Sequence, residues 1–486
     1  MLAVPHSPES PLPLKPSLQL CREFLAGGLL YLEAGEAPRR NGSDVFHRHR
    51  SDSYFVYVTG VELPGYGALV DTETAHLTLV APRLPEEMSY WVGRVPTLDE
   101  LAEQYGADRV VYDDELAGLL AARPSADLHT LPGSADKVKK LAPAGWRVTS
   151  DVLSVCMDRC RATKTDGEVA CLLAASVASG GAHMDMWRAC RPGLREYQLE
   201  AVFSMSSRCR GAPCPGYPPI VGSGPNAAIM HYEALEGTVE AGHLVLVDAG
   251  AEWRCYTADI SRTFPASGRF EGAARDLYGT VLAAQEAALD LMAAPAVGGP
   301  AATLADADRA ARRVLLTGLR DMGLLRREAT GGSDWLDAAL DAKLDRVFMP
   351  HGIGHHLGLD VHDVSDAGPV PKGPLAPGHV LTVEPGAYLI APLLARARTD
   401  PRVAPFVDFG AAEALMRGGL GGVRIEDNVL VLDAGASGEQ GVAAAPGLRG
   451  RLYNLTEAAG VPKAMAEVEE VMRQEWRPAD ALAAWC

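Results

Sequence analysis

The chain has 486 residues, 48% of them hydrophobic and 22% charged, with a formal net charge of −17. Enough apolar material for a large core excludes global disorder. The acidic balance, with no long Lys/Arg run, argues against nucleic acid and anionic membrane surfaces as partners.

From the N-terminus, Met1 to Pro16 is proline-rich and lacks a basic segment followed by an apolar one. It fits neither a secretory nor a transit signal, and residues 1–17 read as a flexible N-terminus. Leu18 to Leu25 reads as a helix, Phe55-Val56-Tyr57-Val58 and Ala68-Leu69-Val70 as strands, and the alternating His76 to Val80 as another strand. Leu98 to Tyr105 is expected to be helical and Val110 to Tyr112 extended. This is the pattern of a mixed α/β domain over residues 18–158.

From Lys164 the pattern changes to long helices, one to about Cys190 and one from Arg195 to about Cys209, with Thr165 or Asp166 available as the first cap. Further helices are expected near 271–293 and 303–323, and loops at Ala293–Ala302 and Ala434–Gly447. A second domain over 159–475 and a tail over 476–486 complete an α/β chain of the α+β type. No apolar run is expected to reach membrane-spanning length. Nine scattered cysteines without paired zinc spacing favour reduced thiols in the cytoplasm.

The chemistry concentrates in four apolar segments expected to be strands, Leu244–Asp248, Thr257–Ser261, Val380–Glu384 and Val423–Leu432. They carry Asp248, Asp259, Glu384 and Glu426, and burying such carboxylates without compensation would cost several kcal/mol. With His355 they form a ligand set suited to a pair of divalent cations. A hairpin through Gly250 is expected to bring Asp248 beside Asp259, and period-two alternation sets Thr257, Asp259 and Ser261 on one face. Thr257 is then a candidate supporting hydroxyl, and Arg424 shares a face with Glu426. His351-Gly-Ile-Gly-His355 is expected to be extended, because each glycine disfavours a helix by roughly 1 kcal/mol. Two cations about 3.5–4 Å apart would lower the pKa of a shared water and polarise an amide carbonyl. Glu384 is the candidate base, with His231 or His362 as donor to a tetrahedral intermediate. Singly, each acid has a competing reading as a solvated surface charge, and each histidine as a structural one. Gly222-Ser223-Gly224-Pro225 lacks the third glycine of a phosphate loop.

Together the motifs Asp248-Ala-Gly-Ala-Glu, Thr257-Ala-Asp259-Ile-Ser-Arg-Thr-Phe-Pro265, His351-Gly-Ile-Gly-His355, His362-Asp, Leu381-Thr-Val-Glu384-Pro-Gly and Arg424-Ile-Glu426-Asp resemble the pita-bread metallopeptidases. Within that group they are similar to the prolidase (Xaa-Pro dipeptidase) branch and its close relative aminopeptidase P. Gly222 to Tyr232, Ala81 to Gly93 and Arg50 to Phe55 extend the likeness. The resemblance implies an N-terminal mixed α/β domain and a catalytic domain with a bent antiparallel sheet. It implies two divalent ions per chain, usually manganese, bound by Asp248, Asp259, His355, Glu384 and Glu426. It places substrate at His231, His351, His362 and Arg424, and implies a homodimer that cleaves Xaa-Pro dipeptides through a metal-bridged hydroxide. The stretch between Asp363 and Glu384 is shorter than in similar prolidases and omits an arginine that clamps the substrate carboxylate. Only Lys372 is cationic there. That departure motivates an alternative, removal of the first residue from longer X-Pro peptides. A metal-free binding protein on the same fold is a third reading.

Overall fold

A computed structural model describes residues 28–124, 126–294, 301–326, 335–364, 373–433 and 446–478. The expected helix at Leu18–Leu25, the flexible N-terminus, Lys372, most of the two expected loops and most of the tail lie outside them. The described chain divides into two compact units, 28–167 with Val364 and 168–363 with 373–478, the main division falling between Gly167 and Glu168.

The first unit is built on a six-stranded mixed sheet: β1 (Leu29–Glu33), β2 (Gly67–Asp71), β3 (Leu77–Ala81), β4 (Arg109–Tyr112), β5 (Asp127–His129) and β6 (Arg147–Thr149), in the order β4-β3-β2-β1-β5-β6. β1, β2 and β3 pair antiparallel; the other three pairings are parallel. Its core gathers Leu29, Leu69, Val80, Val111, Leu120 and Leu128. One expectation fails. Phe55–Val58 lies in helix α1 (Ser53–Thr59), whose N-cap Asp52 accepts from the Tyr54 and Phe55 amides and whose C-terminus closes on Gly60 at φ 67. Two good caps and burial of all residues from Phe55 to Thr59 outweigh the strand preference of valine and tyrosine. α2 (Leu98–Tyr105) carries a Thr97/Glu100 capping box and forms where expected.

The second unit opens with α3 (Asp166–Ala189), which starts two residues ahead of the division, and α4 (Glu196–Cys209). Contrary to expectation, α3 is long and apolar enough by composition to cross a membrane. Its most apolar window is, however, 83% buried within the fold, as in a core helix. Mid-helix Gly180 and Gly181 sit where neighbours press closest: a Cβ would lie 2.3 Å from Val461 Cγ2 and 2.2 Å from Arg210 Nε respectively.

Every strand pairing described in this unit is antiparallel. β7 (Cys214–Pro215), β8 (Ile220–Ser223), β9 (Leu244–Asp248), β10 (Ala251–Trp253), β11 (Tyr256–Thr257) and β12 (Ser261–Pro265) form two three-stranded groups, β11-β10-β7 and β12-β9-β8. β13 (Val380–Val383), β14 (Gly386–Tyr388), β15 (Gly422–Arg424), β16 (Asp427–Val431), β17 (Leu448–Arg449) and β18 (Leu452–Asn454) form β13-β16-β18-β17 and the pair β14-β15. α5 (Gly272–Ala293) and α6 (Leu304–Asp321) form at their expected places.

Two segments expected to be single strands are broken. Thr257–Ser261 splits around residues 258–260, and Val423–Leu432 splits around Ile425 and Glu426. At Gly250 a Cβ would stand 1.7 Å from the Ala258 carbonyl oxygen, and the chains stay close through this break: the Ala258 amide donates to Ala251 O and the Ala249 amide to Ile260 O, each at 3.1 Å. Opposite Ile425 stands Pro385, which has no N–H to donate.

Candidate metal centre and active site

The ligand-type residues stand at these breaks. Asp248 ends β9, with Ser261 its partner across the ladder. α3 holds the chain just beyond it. His183 Nε2 bonds the Ala249 carbonyl at 2.9 Å, and Ser179 Oγ accepts from the Ala251 amide at 2.9 Å. One turn apart, these side chains share a helix face. The expected hairpin forms as β10–β11, turning through Arg254 and Cys255, both at positive φ (50° and 64°). Asp259 is fixed by its backbone: Asn428 Oδ1 accepts from its amide at 3.1 Å, and Asn428 Nδ2 donates to its carbonyl. A side-chain amide thus replaces the missing strand neighbour.

Residues 351–356 are extended rather than helical, as expected, and run beside β13. The Glu384 amide donates to Ile353 O, the Thr382 amide to His355 O, and the Leu357 amide to Val380 O. Gly354 permits this approach, since a Cβ there would lie 2.0 Å from Thr382 O. Gly354→Ala is therefore expected to lower stability by about 1–3 kcal/mol and to reduce turnover by shifting His355. A variant that melts and turns over like the parent would refute the tight contact.

The side chains converge. Asp259, His355 and Glu426 present ligand atoms all within 4.8 Å of one another. His355 Nε2 is 3.4 Å from Asp259 Oδ2 and 3.5 Å from Glu384 Oε1. Tyr217 OH lies 2.6 Å from Asp248 Oδ1 and 2.7 Å from Asp259 Oδ1, which ties Asp248 to the group. Burial and the two flanking carboxylates push that phenol well above its ordinary pKa, so it keeps its proton. Ser261 Oγ donates to Glu426 Oε2 at 2.7 Å and accepts from Arg424 Nε at 2.8 Å. Arg424 also reaches Asp248 Oδ2 at 2.6 Å and Tyr388 OH at 3.0 Å.

The electrostatics of this set are strained. Burial, then repulsion from Asp259, Glu384 and Asp248, holds Glu426 well above the carboxylate range. Burial likewise raises Asp248 and pushes Glu384 up to about 7. Asp259 is lowered: burial opposes, but bonds from His355 and Tyr217 prevail. His355 is raised to about 9, burial again being outweighed by Asp259 and Glu384. Arg424 and His355 are too little positive charge for four acids, and oxygen donors with one imidazole are the set that hard or borderline divalent cations fill. The residues present fit such ions.

Of the substrate-side candidates, His351 bonds Tyr388 OH through Nε2 at 2.9 Å and lies 3.8 Å from Glu384. His362 is exposed and packs edge-on against the His355 ring at 4.3 Å between centroids. His231 is exposed in a turn and makes no hydrogen bond to the carboxylate cluster. Its neighbour Tyr232 is anchored on buried Glu196, which also holds the Ser223 and Gly237 amides. Thr257 is not the expected supporting hydroxyl, because it donates to the Ala258 carbonyl at 2.8 Å; Ser261, on the same predicted face, takes that place. Tyr217, Tyr388 and Asn428 were missed by sequence reasoning. Tyr217 sits in Cys-Pro-Gly-Tyr-Pro-Pro, where no periodicity assigns a face.

Acids gathered about one imidazole in an all-antiparallel unit define a metal-dependent hydrolase. Comparison with known proteins is more specific. The chain belongs to Metallopeptidase family M24, whose profile matches residues 170–433, while the aminopeptidase P N-terminal domain profile matches residues 18–129. It is 35% identical over 444 residues to the human Xaa-Pro dipeptidase, covering 84% of this chain and 85% of that one. It is 32% identical over 424 residues to a probable Xaa-Pro aminopeptidase of Verticillium alfalfae, covering 85% and 89%. Among solved structures, aminopeptidase PepP of Pseudomonas aeruginosa superposes with a TM-score of 0.74 at 31% identity, covering 97% of this chain and 99% of that chain. Aminopeptidase P from Escherichia coli with the inhibitor Pro-Leu gives 0.74 at 28%, covering 95% and 99%. The fold is the pita-bread fold with its N-terminal domain, and the chain is a metallopeptidase of a family that implies divalent metal ions.

Proposed function

We propose that the chain is a dinuclear metal-dependent dipeptidase that hydrolyses Xaa-Pro dipeptides at the bond before the C-terminal proline. The observation that carries this reading is the convergence of Asp259, His355 and Glu426, extended to Asp248 through Tyr217 and to Glu384 through His355. The 35% identity to the human Xaa-Pro dipeptidase supports the substrate class. In this reading Asp248, Asp259, His355, Glu384 and Glu426 hold two divalent cations, manganese by resemblance. When bound, these cations activate water and polarise the scissile carbonyl. Glu384, half-buried at the end of β13, takes the proton of the attacking water. We assign the substrate side to His351, 3.8 Å from Glu384, to His362, packed on the His355 ring, and to His231. Arg424 fixes Asp248 and, through Ser261, orients Glu426. We further infer a homodimer acting in the cytosol on small peptides.

Cleavage of Ala-Pro and Gly-Pro by manganese-loaded protein is expected, with loss on chelation and recovery on adding manganese back. Intact dipeptides beside an active control prolidase would end the assignment. The aminopeptidase P reading is favoured by the structural neighbours, which match along almost their whole length. Relative rates on Ala-Pro and on an Arg-Pro-Pro peptide separate the two. Metal analysis showing about two ions per chain excludes a metal-free binding protein.

A further inference from the structure

We propose that Gln285 is a positioning residue of the centre, whose side-chain amide sets the separation between the backbone segments that carry Glu384 and Glu426. This rests on the ligand assignment above. β13 pairs with β16 as far as Val383 opposite Asp427, and β14 pairs with β15 from Gly386 opposite Arg424. Between the two ladders both chains leave regular pairing, and there the two glutamates stand. Gln285, fully buried on α5, enters this gap. Its Nε2 donates to Val383 O at 3.1 Å and to Ile425 O at 3.2 Å, the carbonyls immediately preceding Glu384 and Glu426.

The amide can sit only one way round. Its Oε1 accepts from Lys463 Nζ at 3.1 Å, and Lys463 is itself paired with Asp427 at 2.8 Å. A flipped amide would face two carbonyls with an oxygen and an ammonium with an NH2, setting acceptor against acceptor and donor against donor. Both amide protons and the oxygen are thus used, and one rigid side chain spans the two segments. Residues that hold metal ligands from behind typically change metal affinity 10- to 100-fold when altered.

The test is a manganese titration at 25 °C of chelator-stripped full-length parent and Gln285→Met, with melting curves of both stripped proteins and kcat and KM on Ala-Pro. Gln285→Met is expected to keep the parent's far-ultraviolet spectrum. It should bind its weaker manganese ion ~10-fold or more less tightly, with kcat reduced and KM little changed. A lower melting temperature with an unchanged manganese titration would make Gln285 merely structural and overturn the proposal. Should Gln285→Met fail to fold, Gln285→Glu carries the same expectation, since it keeps the size and the Lys463 contact but offers the carbonyls only an acceptor. If the parent binds manganese yet leaves Ala-Pro intact, the functional reading falls, while the titration still decides the role of Gln285.

Discussion

Asp259→Asn is expected to lose at least ~1000-fold in turnover on an Xaa-Pro dipeptide, about 4 kcal/mol of barrier, without unfolding the N-terminal unit. The amide is nearly isosteric, and the Asp259 backbone is held at both its N–H and its carbonyl by Asn428. Loss would therefore report on chemistry rather than on placement. Asp259 is the acid that this site keeps ionised, set between the His355 ring and the Tyr217 phenol. Glu426→Gln should lose activity as severely, yet its stripped form should be at least as stable as the parent. Burial and three neighbouring acids hold the Glu426 carboxyl well above its ordinary value, and an amide removes that repulsion while still accepting from Ser261. Kinetics, metal content and melting of the stripped variants check both. Near-normal turnover in either would remove the ligand roles.

Arg424→Met is expected to destabilise the second unit by about 3–5 kcal/mol, the usual effect of removing one partner from a buried pair. Arg424 is 5% exposed, and its guanidinium touches Asp248, Ser261 and Tyr388 at once. Without it Asp248 keeps its burial and its repulsion from Asp259 but loses its counter-charge. Arg424→Lys should recover little, since a single ammonium cannot reproduce three divergent bonds. Denaturant unfolding of both variants is the measurement. A loss below about 1 kcal/mol for Arg424→Met, within the range of exposed pairs, would mean that this arginine is not the site's structural counter-charge.

Most of the architecture was legible because the relevant signals are local. α2 announces itself by Thr97 and Glu100, and β9 by four apolar residues that end in an acid. Asp52 and Gly60 were equally local signals for α1, but propensity points to a strand where the caps dictate a helix. The broken strands were not legible. Nothing between Thr257 and Ser261 shows that Asn428, 169 residues away, supplies the bonds of a missing neighbour. The five ligand-type residues could be read because acids within apolar stretches need partners. Tyr217, Tyr388 and Gln285 could not, since a hydroxyl or amide in an apolar context carries no comparable demand.

The walled-in rod of α3 has a bearing on variant interpretation. Ser179 and His183 grip the residues just past Asp248, and the two pinched glycines lie between those grips. A side chain added at Gly180 or Gly181 would push this grip sideways and carry the first acid with it. Substitutions in this stretch, more than sixty positions upstream of any ligand, would then show as loss of catalysis, and a survey weighting sequence proximity to the centre would misfile them as harmless.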